Sequence, residues 1–138
     1  MASAGLEALL HPFAVPLHPA KAGDIVTGSV TNPKVRQPEF VVVWEFQVKA
    51  GKGDEFERIY GPDGEWAKFF RRGEGYLRTE LIRDLEAEGR YLTIDFWVSR
   101  ETYLRFSTEN GAEYRAIDEK CESLTEAEAL LGTFERFA

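Results

Sequence analysis

Histidine and cysteine are nearly absent from this chain of 138 residues. Both histidines, His11 and His18, lie within residues 1–38, so the rest of the chain has no imidazole for acid–base chemistry or metal binding. Cys121 is the only cysteine, which excludes an intrachain disulfide and fits a reducing, cytoplasmic compartment. We expect Cys121 to be a small core residue, and we expect no metal site.

Long apolar runs and an excess of basic charge are also missing. No stretch approaches the roughly 20 apolar residues of a membrane-spanning helix, and the N-terminus lacks the basic region of a signal peptide. The net charge is −7, divided as +1 for residues 1–38 and −8 for residues 39–138. Because an acidic domain repels phosphate backbones, we expect no nucleic acid among its partners. Without a spanning run we also expect no membrane.

Proline divides the chain into two parts. Five of the six prolines lie in residues 1–38, which predicts an extended N-terminal arm, with a short helix near residues 6–10 and a strand near residues 25–30 as options. A mobile tail and an arm packed on the domain or on a neighbouring subunit both fit this composition. Residues 39–138 hold every aromatic residue except Phe13 and read as one folded domain.

Alternating residues and turn residues predict the element order of this domain. Strands are expected at residues 40–48, 76–85, 91–98 and 129–137. Helical segments are expected at residues 54–60, 65–72 and 100–123, with breaks at residues 61–64 and 110–111. Ser99 is the expected N-cap of the last helix. The order β-α-β-β-α-β is that of a ferredoxin-like α+β fold, with a four-stranded antiparallel sheet and helices on one face.

Alternation also predicts two sheet faces. The face assigned to the helices holds Val42, Trp44, Phe46, Leu77, Leu81, Leu92, Ile94 and Phe96. The opposite face holds Glu45, Gln47, Tyr76, Arg78, Glu80, Tyr91, Thr93, Asp95 and Trp97. Because large aromatic residues lie among charges on this second face, it predicts a homodimer interface in which Arg78 pairs with a carboxylate; a monomer with a mixed solvent face is the alternative.

The run Ile94–Glu101 (IDFWVSRE) is similar to the acidic-x-Trp-x-Ser-x-Glu signature at the strand-to-helix junction of antibiotic biosynthesis monooxygenase domains. With the element order, the resemblance covers residues 39–138. It implies a dimeric α+β barrel, in which each subunit has an apolar cleft between its helices and its sheet. Some members of this family oxygenate aromatic or quinol substrates with O₂ and no metal or flavin, and others degrade haem.

The chain departs from the family pattern at Phe106, where many relatives place a histidine. The catalytic Asn, Trp and His of the haem-degrading branch also find no match, so we do not expect haem degradation. The resemblance therefore implies no cofactor, and no catalytic residue is assigned. A buried carboxylate such as Asp95 could act as a base, but an ion pair with Arg78 or Arg83 is the expected state of Asp95 and Glu45.

The predicted ligand-binding residues are aromatic side chains expected to line the cleft, with core packing as their alternative role. They are Trp44, Tyr60, Trp66, Phe69, Phe96, Tyr103, Phe106 and Tyr114. Two functions follow. One is a cofactor-independent monooxygenase that acts on a small aromatic or quinol substrate. The other is a non-catalytic dimeric domain that binds an apolar ligand in the same cleft.

Overall fold

A computed structural model describes residues 37–137. The predicted arm, residues 1–38, lies almost entirely outside the described residues. No helix in the described part is both long and apolar enough to cross a membrane. The elements follow in the order β1 (Glu39–Val48), α1 (Gly53–Tyr60), α2 (Glu65–Phe70), β2 (Tyr76–Arg83), β3 (Arg90–Trp97), α3 (Arg100–Glu109), α4 (Gly111–Cys121), a 3₁₀ turn (Glu122–Leu124) and β4 (Thr125–Arg136).

The four strands form one antiparallel sheet in the order β2-β3-β1-β4. The helices cover one face of it and share a core of aromatic side chains with the strands. This arrangement confirms the predicted ferredoxin-like α+β fold. The first helical region divides between Tyr60 and Glu65, and the second divides at Asn110, as predicted.

Ser99 begins the second helical region, as its position before an acidic first turn predicts. The Ser99 Oγ accepts a hydrogen bond from the Thr102 backbone N–H at 3.2 Å, and Thr102 Oγ1 donates to the Ser99 carbonyl at 2.9 Å. At the other end of α3, the Asn110 side-chain amide donates to the Phe106 carbonyl at 3.0 Å. The first of these bonds satisfies a backbone N–H that the start of a helix otherwise leaves unpaired. The other two add a second donor to carbonyl groups that already accept a backbone N–H.

The hairpin between β2 and β3 is organised by Asp84. Its Oδ1 accepts hydrogen bonds from the backbone N–H groups of Glu86 and Ala87, and its Oδ2 accepts one from Arg90 Nη1 at 2.9 Å. Gly89 completes the turn with φ of +81°, in the left-handed region that glycine adopts without strain. The turn thereby fixes the register of two strands that carry site residues.

The predicted faces of β3 are wrong. In the observed register, Val42 lies opposite Asp95 and Phe46 lies opposite Tyr91, so Asp95 and Tyr91 share the helix-covered face with the even residues of β1. Trp97 lies opposite Phe40 and is therefore also on the helix-covered face. The side chains that consequently lie on the outer face are Leu92, Ile94 and Phe96. Alternation groups the residues of a strand into two sets, but it does not say which set faces the helices.

β2 and β4 also depart from the predicted strands, because each contains an irregularity. In β2, Tyr76 pairs with Trp97 and Arg78 with Phe96, which leaves Leu77 unpaired, 40% exposed and away from the core. β4 begins at Thr125 rather than at residue 129. Glu128, which precedes the predicted start of this strand, lies opposite Phe46 and therefore faces the helices.

The core is a continuous network of aromatic rings rather than of aliphatic side chains. Phe56 has no exposed surface, stacks on Tyr60 with ring centroids 4.2 Å apart and also contacts Phe46 and Tyr91. Trp97 is equally buried and contacts rings from β2, α2 and α3. Each such ring removes a large apolar area from water, so the network ties both helical regions to the sheet.

We expect Phe56→Ala to lower the free energy of unfolding by about 3–5 kcal/mol, because it removes a fully buried ring and leaves a cavity. Urea denaturation followed by circular dichroism would measure the loss. Leu85→Ala is the matched control: Leu85 is 85% exposed, and its truncation is expected to change stability by less than about 0.5 kcal/mol. Similar losses in both variants would contradict the assignment of Phe56 to the core.

Candidate functional site

A cavity lies between the helix-covered face of the sheet and the four helices. Side chains fill most of it, and about 40 Å³ inside it is open to a water-sized molecule. Its walls come from every strand and from all four helices: Val42, Trp44, Phe46, Tyr60, Trp66, Phe70, Thr79, Thr93, Asp95, Tyr103, Tyr114, Asp118 and Glu128. Mostly aromatic walls with a few polar groups are typical of a site for a small planar molecule.

Five of the eight predicted ligand-binding residues line this cavity. They are Trp44, Tyr60, Trp66, Tyr103 and Tyr114. Trp66 lies between the rings of Tyr60 and Tyr114, with centroid distances of 6.0 and 4.9 Å. All five side chains are nine-tenths or more buried, so their ring surfaces face protein or the cavity rather than bulk solvent.

The other three predicted residues lie elsewhere. Phe69 and Phe106 pack against each other behind the cavity wall, with centroids 4.9 Å apart. A Cβ built on Gly73 would come within 2.5 Å of the Phe106 ring, so that ring fills the space beside the backbone. Phe96 lies on the outer face, where the Arg78 guanidinium covers its ring at 3.8 Å. The prediction that Phe96 lines the cleft failed because the face of β3 was wrongly assigned.

Asp95 is a buried carboxyl group in the cavity wall. Thr79 Oγ1 donates a hydrogen bond to Asp95 Oδ1 at 2.5 Å, and the Tyr76 hydroxyl lies 2.8 Å from Thr79 Oγ1. Because the Thr79 proton is directed at Asp95, the Tyr76 hydroxyl is the donor in the second bond. The three side chains therefore form a chain of hydrogen bonds that ends on one oxygen of Asp95.

The predicted ion pair of Asp95 with an arginine does not form. Arg78 pairs with Glu39 and Glu80 on the outer face, and Arg83 pairs with Glu57. Asp95 has no cationic partner among the described residues. Burial raises its pKa from 3.8 to about 7, and the hydrogen bond from Thr79 offsets this only in part. A carboxyl group with a pKa near neutrality can accept and return a proton at physiological pH.

Two more carboxyl groups, Asp118 and Glu128, line the cavity. Burial raises the pKa of Asp118 to about 6 and that of Glu128 to about 7, and the charge of Asp118 adds to the shift at Glu128. Burial also raises the pKa of the cavity tyrosines Tyr60, Tyr103 and Tyr114, so these phenols stay neutral. At neutral pH the cavity thus combines neutral phenols with carboxyl groups near their titration point.

Four polar residues of the cavity were not predicted to line it: Thr79, Thr93, Asp118 and Glu128. A signal was available for Asp118, which follows Tyr114 by four residues and therefore lies on the same side of α4. No comparable signal exists for Glu128, because strand β4 changes register at two points and its alternation is broken. The fold therefore brings the polar residues of the cavity together, and no sequence motif marks them.

The sequence model of the antibiotic biosynthesis monooxygenase family matches residues 39–120. SnoaB, a cofactor-independent oxygenase from Streptomyces nogalater, is 25% identical with a TM-score of 0.54, covering 70% of this chain and 91% of SnoaB. No curated protein matches the sequence.

Two further structures are similar at lower identity. A putative antibiotic biosynthesis monooxygenase from Bordetella bronchiseptica is 20% identical, with a TM-score of 0.55 over 74% of this chain and 100% of that one. A Pseudomonas aeruginosa protein is 15% identical, with a TM-score of 0.52 over 75% of this chain and 98% of that one. At these identities the similarity shows the shared fold.

The raised pKa of Asp95 predicts how stability depends on pH. The fold favours the neutral carboxyl, so this contribution is fully present below about pH 4 and is lost as the pH rises to about 7. Asp95→Asn removes the titration, and we expect it to abolish about 2–4 kcal/mol of that decline. Urea midpoints at pH 4.5 and 7.5 would measure this, with exposed Glu126→Gln as the control. An unchanged decline in Asp95→Asn would show that Asp95 ionises normally.

Proposed function

Because the chain belongs to the antibiotic biosynthesis monooxygenase family, we propose that it is a cofactor-independent monooxygenase that oxidises a small phenol or quinol in the aromatic cavity. The observation that carries this proposal is Asp95, a carboxyl group buried among aromatic rings with no arginine or lysine partner within residues 37–137. The similarity to SnoaB, described as a cofactor-independent oxygenase, supports the reaction class.

Asp95 is the proposed general base. Its carboxylate takes the hydroxyl proton of the bound substrate, and the resulting anion is rich enough in electrons to reduce O₂. The O–O bond then breaks: one oxygen atom forms a bond to a ring carbon in place of its hydrogen. The other leaves as water, which carries that hydrogen and the proton returned by Asp95, and the substrate supplies all four electrons. The hydrogen bond from Thr79 holds one carboxylate oxygen in place, which leaves the second oxygen for the substrate proton.

The aromatic walls have two proposed roles. They bind a planar ring through stacking and edge contacts with Trp44, Tyr60 and Trp66, and they keep water away from the electron-rich anion. Tyr103, buried and neutral, provides a hydroxyl group as a hydrogen-bond donor near the reacting face. No residue of the site needs to be a histidine, so Phe106 in place of the family histidine is compatible with this scheme.

A non-catalytic domain that binds an apolar ligand is the second candidate. It is favoured by the absence of histidine from residues 39–138 and by the packing of Phe106 against Phe69, which makes the family's histidine position part of the core. This candidate uses the same cavity and the same aromatic walls. It differs in giving Asp95 the role of a hydrogen-bond acceptor for the ligand.

Oxygen consumption with a panel of quinols and anthrones tests the proposed reaction. We expect kcat/KM to rise with pH and to level off above about pH 7, because Asp95 must be ionised to act as a base. Asp95→Asn is expected to lower kcat/KM by roughly 10²–10⁴. Thr79→Val removes the hydrogen bond that stabilises the carboxylate, so the rising limb should move to higher pH.

Glu126→Gln, an exposed change on β4 outside the cavity, should leave the rate and its pH profile unchanged. Ligand binding without oxygen uptake would reject the oxygenase and support the binding domain. Full activity in Asp95→Asn would reject Asp95 as the base.

We also propose that the chain forms a homodimer through the outer face of the sheet. This face is more apolar than the sequence suggested, because Leu92, Ile94 and Phe96 lie on it together with Val41 and Val43. Ile82 and Phe134 add side chains that are 47% and 51% exposed. Ion pairs, among them Arg90 with Glu45 at 2.5 Å, lie beside this apolar strip. An apolar centre with a charged border is typical of a dimer interface.

Sedimentation at micromolar concentration tests the dimer. We expect the wild-type chain to sediment as a dimer and Phe134→Glu to sediment as a monomer, since the change would place a charge in the apolar contact. Leu85→Glu, at the exposed hairpin turn, should remain dimeric. A monomeric wild-type chain, or a dimer unaffected by Phe134→Glu, would contradict an interface through this face.

A further inference from the structure

The hydrogen-bond chain that ends on Asp95 leads out of the cavity. Asp95 and Thr79 both line the cavity, and the bond between them is buried. Tyr76 does not line the cavity; its side chain is only partly buried, and so is its bond to Thr79. Burial therefore decreases along the chain from Asp95 through Thr79 to Tyr76. A carboxyl group and two hydroxyl groups in hydrogen-bond contact form a continuous route for a proton.

The irregularity in β2 brings the two hydroxyl groups together. Residues three apart in a regular strand point to opposite faces of the sheet. Here Tyr76 pairs with Trp97 and Thr79 pairs with Asp95, two residues apart on β3, because Leu77 is left out of the pairing. Tyr76 and Thr79 therefore both face the helices, where their hydroxyl oxygens lie 2.8 Å apart.

The Tyr76 hydroxyl lies between the buried carboxyl group and charged groups at the surface. Its ring is held by two core rings, with centroid distances of 5.4 and 5.8 Å. Partial burial raises the pKa of Tyr76, and the charges of Asp95, Arg71 and Asp63 also act on it. Arg71 and Asp63 form an exposed ion pair at 2.9 Å. The hydroxyl is thus near Asp95 on the cavity side and near solvent-exposed charges outside.

The donors in this chain can reverse their direction with the charge of Asp95. When Asp95 is ionised, Thr79 donates to Asp95 Oδ1 and Tyr76 donates to Thr79. When Oδ1 carries a proton, it donates to Thr79, Thr79 donates to Tyr76, and the Tyr76 proton is free to bond to solvent. Thr79 both accepts and donates in either state, so its buried hydroxyl keeps its partners throughout.

We propose that Thr79 and Tyr76 form a proton path between Asp95 and solvent that does not pass through the cavity. For release, the Asp95 Oδ1–H bond breaks and its proton forms a bond to Thr79 Oγ1. The Thr79 hydroxyl proton moves to the Tyr76 oxygen, and the Tyr76 hydroxyl proton moves to a solvent water. One proton reaches solvent for each one that Asp95 loses, and uptake follows the reverse course.

This path lets Asp95 ionise while the cavity is closed. Because the pKa of Asp95 is about 7, a large fraction of molecules carry its proton at neutral pH, and a neutral carboxyl group cannot act as a base. Little of the cavity is open to water, so a route behind Thr79 allows the proton to leave when a ligand covers the other side. That use in turnover rests on the proposed function, whereas the path itself requires no substrate.

Time-resolved infrared spectroscopy of the full-length protein without substrate tests the path. Light-triggered release of protons from a caged acid protonates Asp95, and the carboxyl C=O band that is missing from Asp95→Asn reports their arrival. Tyr76→Phe removes the outer hydroxyl and keeps the ring, so we expect it to slow protonation by roughly tenfold or more. Tyr91→Phe is the matched control, because its hydroxyl bonds to Glu57 rather than to this chain, and it should retain the wild-type rate.

Thr79 provides a second pair of variants. Thr79→Ser keeps a hydroxyl group and should keep the rapid protonation, whereas Thr79→Val, which is closer to threonine in shape, should slow it as Tyr76→Phe does. Circular dichroism checks that each variant folds, and if Tyr76→Phe does not, the Thr79 pair decides. An unchanged rate in folded Tyr76→Phe, or equal rates in Thr79→Ser and Thr79→Val, would overturn the path and show that protons reach Asp95 through the cavity.

The outcome is separable from that of the oxygenase proposal. Slow protonation in Tyr76→Phe, with no oxygen uptake by the wild-type protein, would reject oxidation and leave the proton path in place. Oxygen uptake by the wild-type protein, with an unchanged protonation rate in Tyr76→Phe, would do the reverse.

Discussion

One pairing in the sheet, Val42 of β1 against Asp95 of β3, determines what the cavity contains. It brings a carboxyl group and the ring of Trp97 beneath the helices and sends Leu92, Ile94 and Phe96 to the outer face. A register shifted by one residue would exchange these sets. The cavity would then lose Asp95, which would lie on the outer face where Arg78 lies over the sheet.

Local signals in the sequence were sufficient to predict most of the fold. Alternation located the strands, Ser99 marked the start of the second helical region, and Asn110 marked its break. Each of these depends on a few neighbouring residues and on backbone geometry that recurs in many proteins. The five cavity aromatics were also predictable, because large rings on β1 and on helices that cover the same sheet face must meet.

The polar part of the site depends on long-range pairing and was not predictable in the same way. Both alternating sets of β3 contain large apolar residues, Tyr91 and Trp97 in one and Ile94 and Phe96 in the other, so hydrophobicity did not distinguish the buried set. Residues of the outer set are shielded from solvent by side chains of other strands, such as Arg78, whose guanidinium covers the ring of Phe96. The sequence alone does not predict these contacts. Only the packed structure shows that Asp95 has no cationic partner among residues 37–137.

Strand β4 shows how a single extra residue lets one strand serve two surfaces. Leu131 is left unpaired between Leu130, opposite Trp44, and Gly132, opposite Val43. Before this bulge, even-numbered residues such as Glu128 face the helices; after it, even-numbered Phe134 faces outward. The length of the chain at one position, rather than the identity of any side chain, therefore divides β4 between the wall of the cavity and the outer face. During evolution, an insertion or deletion at this point would change which residues of β4 face the cavity and which lie on the outer face.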